Sequence, residues 1–137
     1  MKKKVTIPKL VDRLDKIFSK YIRLRDALAT TGTTEYAVCV TCGRTKDQKY
    51  NMDAGHFVGR GAGAVRFDER NVHAQCKRCN MGGNPTAHLD YDAWIIERYG
   101  KRVRNELIKK GKQTHRWDRA WLEDKIVEYR EKVKELK

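Results

Sequence analysis

No run of the 137-residue chain is long and apolar enough to form a membrane-spanning helix, which excludes that role. The basic start, Met1-Lys2-Lys3-Lys4, is not followed by the apolar stretch an export signal needs, so the expected location is cytoplasmic. Acidic residues are also scarce, 18 against 31 Lys plus Arg, for a formal charge of +13. Apolar residues make up 39% and the mean hydropathy is -0.82. A chain of this length and polarity forms one domain, 1–137, with a modest core that calls for an additional staple. Internal repeats and low-complexity tracts are absent.

The positive excess sits at the ends. Residues 1–30 carry nine basic and three acidic groups, and residues 101–137 carry thirteen and seven, so each flank contributes +6, leaving +1 for the centre. Basic flanks around a nearly neutral middle point to a polyanion held by the flanks, with solvated helix faces as the plainer alternative. Leu10, Leu14, Ile17, Tyr21, Leu24 and Leu28 recur at helical spacing and predict a helix over 8–29, with Thr6 and Pro8 at its start. Leu122, Ile126, Tyr129, Val133 and Leu136 predict a second over 118–136, capped by Asp118 and stapled by Trp117. Shorter helices are expected over 86–99 and 101–110, within a helical part spanning 86–137. The segment 36–83 differs: it holds all four cysteines and seven of the ten glycines, and only short strand-like stretches at 36–40, 55–58 and 71–75.

Cys39-x-x-Cys42 and Cys76-x-x-Cys79 each place two thiolates on one tight turn, the spacing of a tetrahedral Zn2+ site. A cytosolic chain keeps thiols reduced, which disfavours two disulfides, and no βαβ pattern surrounds either pair as a thioredoxin-like site needs. Four thiolates close the coordination sphere, so this zinc is structural and any chemistry lies elsewhere.

The residues between the pairs read Asp53-Ala-Gly-His56, then a glycine-rich turn, then Arg66-Phe-Asp-Glu-Arg70-Asn71-Val-His73-Ala-Gln-Cys76-Lys77-Arg78-Cys79-Asn80. This order of His, Asn and Cys-x-x-Cys-Asn resembles the HNH, or His-Me finger, nucleases. Together with Arg116-Trp117 before the last helix it is similar to the phage lambda NinG (Rap) recombination family, over about residue 39 to the end. The resemblance implies an α+β fold with a zinc-stapled ββα-metal core over 36–83 flanked by N- and C-terminal helices. It also implies a structure-specific endonuclease cutting branched DNA, namely Holliday junctions, D-loops and forks, in the host cytoplasm if the chain is phage-encoded.

Within that reading His56 is the general base, since a neutral imidazole can take a proton from water at physiological pH. Asn80 is a ligand of a catalytic Mg2+ or Mn2+ at the start of the helix after the second cysteine pair, and Asn71 ties down the loop and orients His56. His73 is either a metal or phosphate contact or a surface strand histidine. Many HNH nucleases carry an aspartate directly before the histidine, where Gly55 stands here. Asp53 and His56 face opposite sides of a regular strand, so Asp53 joins the metal only if Gly55 forms a bulge. Arg60, Arg66, Arg70, Lys77 and Arg78 surround the site as DNA-phosphate contacts, unless Arg66 or Arg70 pairs with Asp68 or Glu69.

A zinc deaminase is excluded, because it needs His-x-Glu with Pro-Cys-x-x-Cys and an open metal position. A non-catalytic zinc module on DNA or RNA remains the competitor, and it has no use for His56 and Asn80. A homodimer is expected, from the need for two active sites at a junction and from the two apolar seams. Pairing of those seams within one chain is the alternative.

Overall fold

The computed structural model describes residues 4–137; Lys2 and Lys3 of the basic start lie outside them. The first helix, α1 (Ile7–Thr31), opens on Thr6, whose hydroxyl accepts the Lys9 amide, and carries Pro8 in its first turn, where no N–H is required. Two antiparallel hairpins follow, β1 (Tyr36–Val38) with β2 (Thr45–Asp47), and β3 (Met52–His56) with β4 (Val72–Cys76). A single helical turn, α2 (Lys77–Asn80), leaves β4 directly. Helices α3 (Ala87–Tyr99), α4 (Lys101–Gly111) and α5 (Arg119–Leu136) complete an α+β fold. Asp118 caps α5 as expected, its carboxylate accepting the Trp121 amide at 2.9 Å. None of the described helices is long and apolar enough to cross a membrane.

Helices α1 and α5 pack along each other, and Leu10, Leu14, Phe18 and Ile22 form one core with Leu122, Ile126, Tyr129 and the strand residue Val72. The buried face of α1 is wider than the expected row. Val11, Phe18, Ile22 and Ala27 are buried while Ile17 and Tyr21 are only partly covered, because both hairpins as well as α5 lie against this helix. The two seams therefore meet within one chain, which removes them as a reason to expect a homodimer. Glu69 reinforces this packing: its carboxylate accepts from the Tyr21 and Tyr129 hydroxyls at 3.1 and 2.9 Å and from Lys132 at 3.2 Å.

Strand β3 starts three residues before and ends two residues before the expected 55–58, and its early end follows from Asn71, which displaces the ladder there. Its carboxamide takes both the N–H and the C=O of Val58. Strand β2 has no apolar alternation to announce it. The β3–β4 register runs without interruption through Gly55↔His73 and His56↔Val72, so the bulge at Gly55 does not form. Glycine is needed there for a different reason: a Cβ would lie 2.1 Å from the Gln75 Oε1 and 2.8 Å from its Cβ. Gly55→Ala should cost about 1–3 kcal/mol of stability through this overpacking, read as a lower urea midpoint against wild type.

Candidate functional site

Two features stand out around the β3–β4 hairpin. The first is the cysteine cluster. The ligating sulfurs of Cys39, Cys42, Cys76 and Cys79 all lie within 4.8 Å of one another and the four are free thiols. Cys42 and Cys76 are 3.7 Å apart, far beyond a disulfide bond of about 2.05 Å. That spacing matches the roughly 3.8 Å between corners of a tetrahedron with metal–sulfur bonds of about 2.3 Å. The backbone is shaped for this: Gly43 takes a left-handed φ of 75°, and its N–H bonds the Cys39 carbonyl at 3.0 Å to close the knuckle. Outer groups address the sulfurs too. The Cys76 N–H and Thr41 hydroxyl reach the Cys39 Sγ at 3.2 and 3.3 Å, and the Asn84 amide reaches the Cys79 Sγ at 3.3 Å. Burial raises the Cys42 and Cys76 thiols, whereas hydrogen bonds outweigh burial at Cys39, chiefly from the backbone N–H groups of Cys42 and Cys76, and at Cys79, so two of the four sulfurs are favoured as thiolates. The cluster thus has the spacing and backbone of one that could hold a metal ion such as zinc.

The second feature is a cleft of about 930 Å³ between α1, β3 and α2, lined by Asp53 and His56 from the hairpin and by Lys77 and Asn80 from α2. The His56 Nε2 lies 3.0 Å from the Arg66 carbonyl oxygen. A carbonyl can only accept, so Nε2 carries the proton and Nδ1 keeps the lone pair in the neutral ring. Burial holds the imidazole below its ordinary value, so this neutral form prevails at pH 7.

Asp53 shares the cleft without a bulge, because α2 folds back from β4 onto the β3 side: the Asn80 Nδ2 donates to Asp53 Oδ2 at 2.9 Å and the Lys77 ammonium pairs with the other oxygen. Asn80 ends α2 instead of starting a helix, since that element is only one turn long. Asn71 is fully buried. It holds Val58 from both sides and also donates to the Val65 carbonyl at 3.1 Å, while its own carbonyl accepts the Phe57 amide at 2.8 Å. It therefore fixes the loop after His56 without touching the imidazole itself.

His73 belongs to neither feature. It lies on the other face of the hairpin, 3% exposed, with Nδ1 at 3.1 Å from the Tyr91 hydroxyl, Nε2 at 2.9 Å from the Tyr99 hydroxyl, and Trp94 packed edge-on. Tyr91 gives its proton to the Gly55 carbonyl at 2.7 Å, so it must accept from His73 Nδ1–H, and Nε2 then accepts from Tyr99. No lone pair remains for a metal or a substrate. Burial, aided by Arg25 and Arg98, lowers its pKa to about 3. It is a core histidine, neither a ligand nor a surface residue.

The expected phosphate contacts divide. Arg66 is committed to Asp15 of α1 through Nε at 3.0 Å and through Nη2, and Arg60, largely exposed, adds a contact to the same carboxylate at 3.3 Å. Arg70 pairs with Asp68 at 2.9 Å and with Glu106 at 3.6 Å, and lines a separate cavity with His73 and Arg98. Arg66 and Arg70 are therefore internal ion pairs, whereas Arg78 is exposed, and Lys77 and Arg60 stand at the cleft. The α1 wall of the cleft, Asp12, Asp15, Ser19, Lys20 and Arg23, was not among the expected site residues. These residues fall between the apolar positions of α1, where a sequence pattern reads only a solvated face.

Fold and site together define a small basic α+β protein with a four-cysteine cluster that could hold a metal ion, beside a histidine-bearing cleft. The chain belongs to the family of the bacteriophage lambda NinG protein, whose model matches residues 2–137, α1 included. It is 34% identical over 100 residues to protein ninG of Salmonella phage P22, covering 72% of this chain and 47% of that protein. It is 32% identical over the same length to protein ninG of Escherichia phage 933W and of Escherichia phage lambda, covering 72% of this chain and 48% and 47% of those proteins. The chain thus spans about half the length of the curated relatives it matches. No solved structure matches.

Proposed function

We propose that this chain is a metal-dependent DNA endonuclease of the HNH, or His-Me finger, class that hydrolyses phosphodiesters in branched recombination intermediates in the host cytoplasm, with a structural Zn2+ on its four cysteines. One observation carries the reading: a buried, neutral histidine is anchored through Nε2 with Nδ1 unprotonated, in a cleft that also holds a carboxylate, an asparagine and several cations. Hydrolysis needs an activated water, charge neutralisation on the phosphate and a leaving 3′ oxygen. Here Nδ1 takes the proton as the water oxygen bonds to phosphorus and the bond from phosphorus to the 3′ oxygen breaks.

Asp53 and Asn80 offer the hard oxygen donors that suit Mg2+ or Mn2+, and an ion bound there would take the place of the Lys77 ammonium now paired with Asp53. Bound there, the ion would neutralise charge on the leaving oxygen. In this reading β3, β4 and α2 form a reduced ββα unit in which Gly55 replaces the usual aspartate; Gln75 leaves no space for a side chain at that position.

Labelled linear duplex, fork, D-loop and four-way junction, each incubated with Mg2+, Mn2+ or EDTA, test the proposal. Nicking of the branched substrates in Mg2+ or Mn2+ and none in EDTA is the expected result. Binding without cleavage in either metal would identify a non-catalytic zinc module instead.

A further inference from the structure

The cleft contains more positive charge than its own carboxylates neutralise. Asp12 pairs with Lys16 at 3.3 Å, Asp15 with Arg66 and Arg60, and Asp53 with Lys77. Two further cations one turn apart on α1, Lys20 and Arg23, line the same cleft, and among the described residues neither has a carboxylate within 4.0 Å. Arg23 is the more telling. Its Nη1 donates to the Gln48 carbonyl at 3.0 Å and the Gln48 side chain at 3.2 Å, and its Nε to the Ser19 hydroxyl at 3.4 Å, so it is fixed in place by neutral groups. Burial lowers its pKa and Asp53 only partly offsets this. Lys20 is lowered too, first by Lys137, then by burial and by the charges of Lys137, Arg23 and Lys49. A half-buried guanidinium held rigid without a counter-ion, beside a second uncompensated ammonium, is the arrangement of an anion site.

We propose that Arg23 and Lys20 form a phosphate-binding subsite on the α1 wall, which holds a DNA backbone phosphate flanking the one presented to His56. The inference deepens the endonuclease reading and rests on it for the identity of the anion. It also transfers the phosphate-clamping role from Arg66 and Arg70, whose forks are occupied by Asp15 and Asp68, to residues outside the recognisable motif. Arg23 has a second task, pinning the turn between β2 and β3 to α1, so phosphate capture and the shape of the cleft rim are linked through one side chain.

The test is the salt dependence of binding to a labelled four-way junction without added divalent metal, where cleavage plays no part. Each cation lost should reduce the slope of log affinity against log salt by about 0.9, equivalent to about eight-fold weaker binding at 0.1 M salt. Lys20→Gln and Arg23→Gln should each show this, and the double variant about twice the change in slope. Arg23→Lys, which keeps the charge, should retain the wild-type slope. Because Arg23→Gln also frees a turn, Lys20→Gln decides: an unchanged slope in that variant, with zinc content and circular dichroism as wild type, overturns the subsite. If the variants lose slope yet wild type cuts in neither Mg2+ nor Mn2+, the subsite stands and the nuclease reading fails. Unchanged slopes with an active wild type give the reverse.

Discussion

Replacing His56 with alanine is expected to lower junction cleavage by about 10²–10⁴-fold, the usual worth of a positioned general base, while changing affinity for the junction little. The side chain contributes a proton acceptor and no charge, because burial keeps it neutral, so it adds nothing to the electrostatic binding that phosphates provide. Single-turnover cleavage and filter binding on the same preparation separate the two quantities. The pH profile carries a second signature. Protonation removes the Nδ1 lone pair, and burial makes protonation harder than in an exposed histidine. Activity should therefore hold level through neutral pH and fall only on the acid side of about 6.5, the ordinary histidine value. Cleavage by His56→Ala at the wild-type rate would remove the proposed base, and with it the HNH assignment.

Loss of the proposed zinc site should be equally drastic. A structural zinc site supplies about 10–16 kcal/mol in small zinc-binding peptides, comparable to or greater than the 5–15 kcal/mol of net stability typical of a whole domain. Cys39→Ser or Cys76→Ser should therefore unfold the middle of the chain. Cys39, Cys76 and Cys79 are core residues packed with Ala27, Ala37, Met52 and Ala74, and β4 runs directly into the second cysteine pair. The α1–α5 core is built from different residues and should retain its helices, so circular dichroism alone will under-report the damage. Hydrogen exchange at the Ala74 and Cys76 amides, which should lose protection, is the sensitive measurement. Freshly purified wild type should carry about one zinc per chain; folded protein with none by elemental analysis would contradict the assignment.

The paired cysteines and the ends of α1 and α5 were legible in the sequence because each rests on local chemistry. A C-x-x-C turn, a capping Thr6 or Asp118 and an apolar row at helical spacing act over a few residues and carry their signal with them. His56 was marked in another way, by the resemblance of its order relative to Asn71 and the second cysteine pair to the HNH nucleases. Where the structure departs from expectation, the deciding contact spans long sequence distances. Asp15 claims Arg66 from 51 residues away, and Glu69 meets Tyr129 from 60 residues away. His73 shows the limit most clearly. Every residue of β4 from Val72 to Cys76 is buried, since α1 lies on one face of this hairpin and Tyr91, Trp94 and Tyr99 of α3 on the other, so there is no polar–apolar alternation from which to read which side each residue faces. Only the packing of α1 against one face and α3 against the other placed His56 in an open cleft and His73 among tyrosines. The same packing set Arg23 and Lys20 opposite the histidine, because a helix face exposes its function only once the surface it lies against is known.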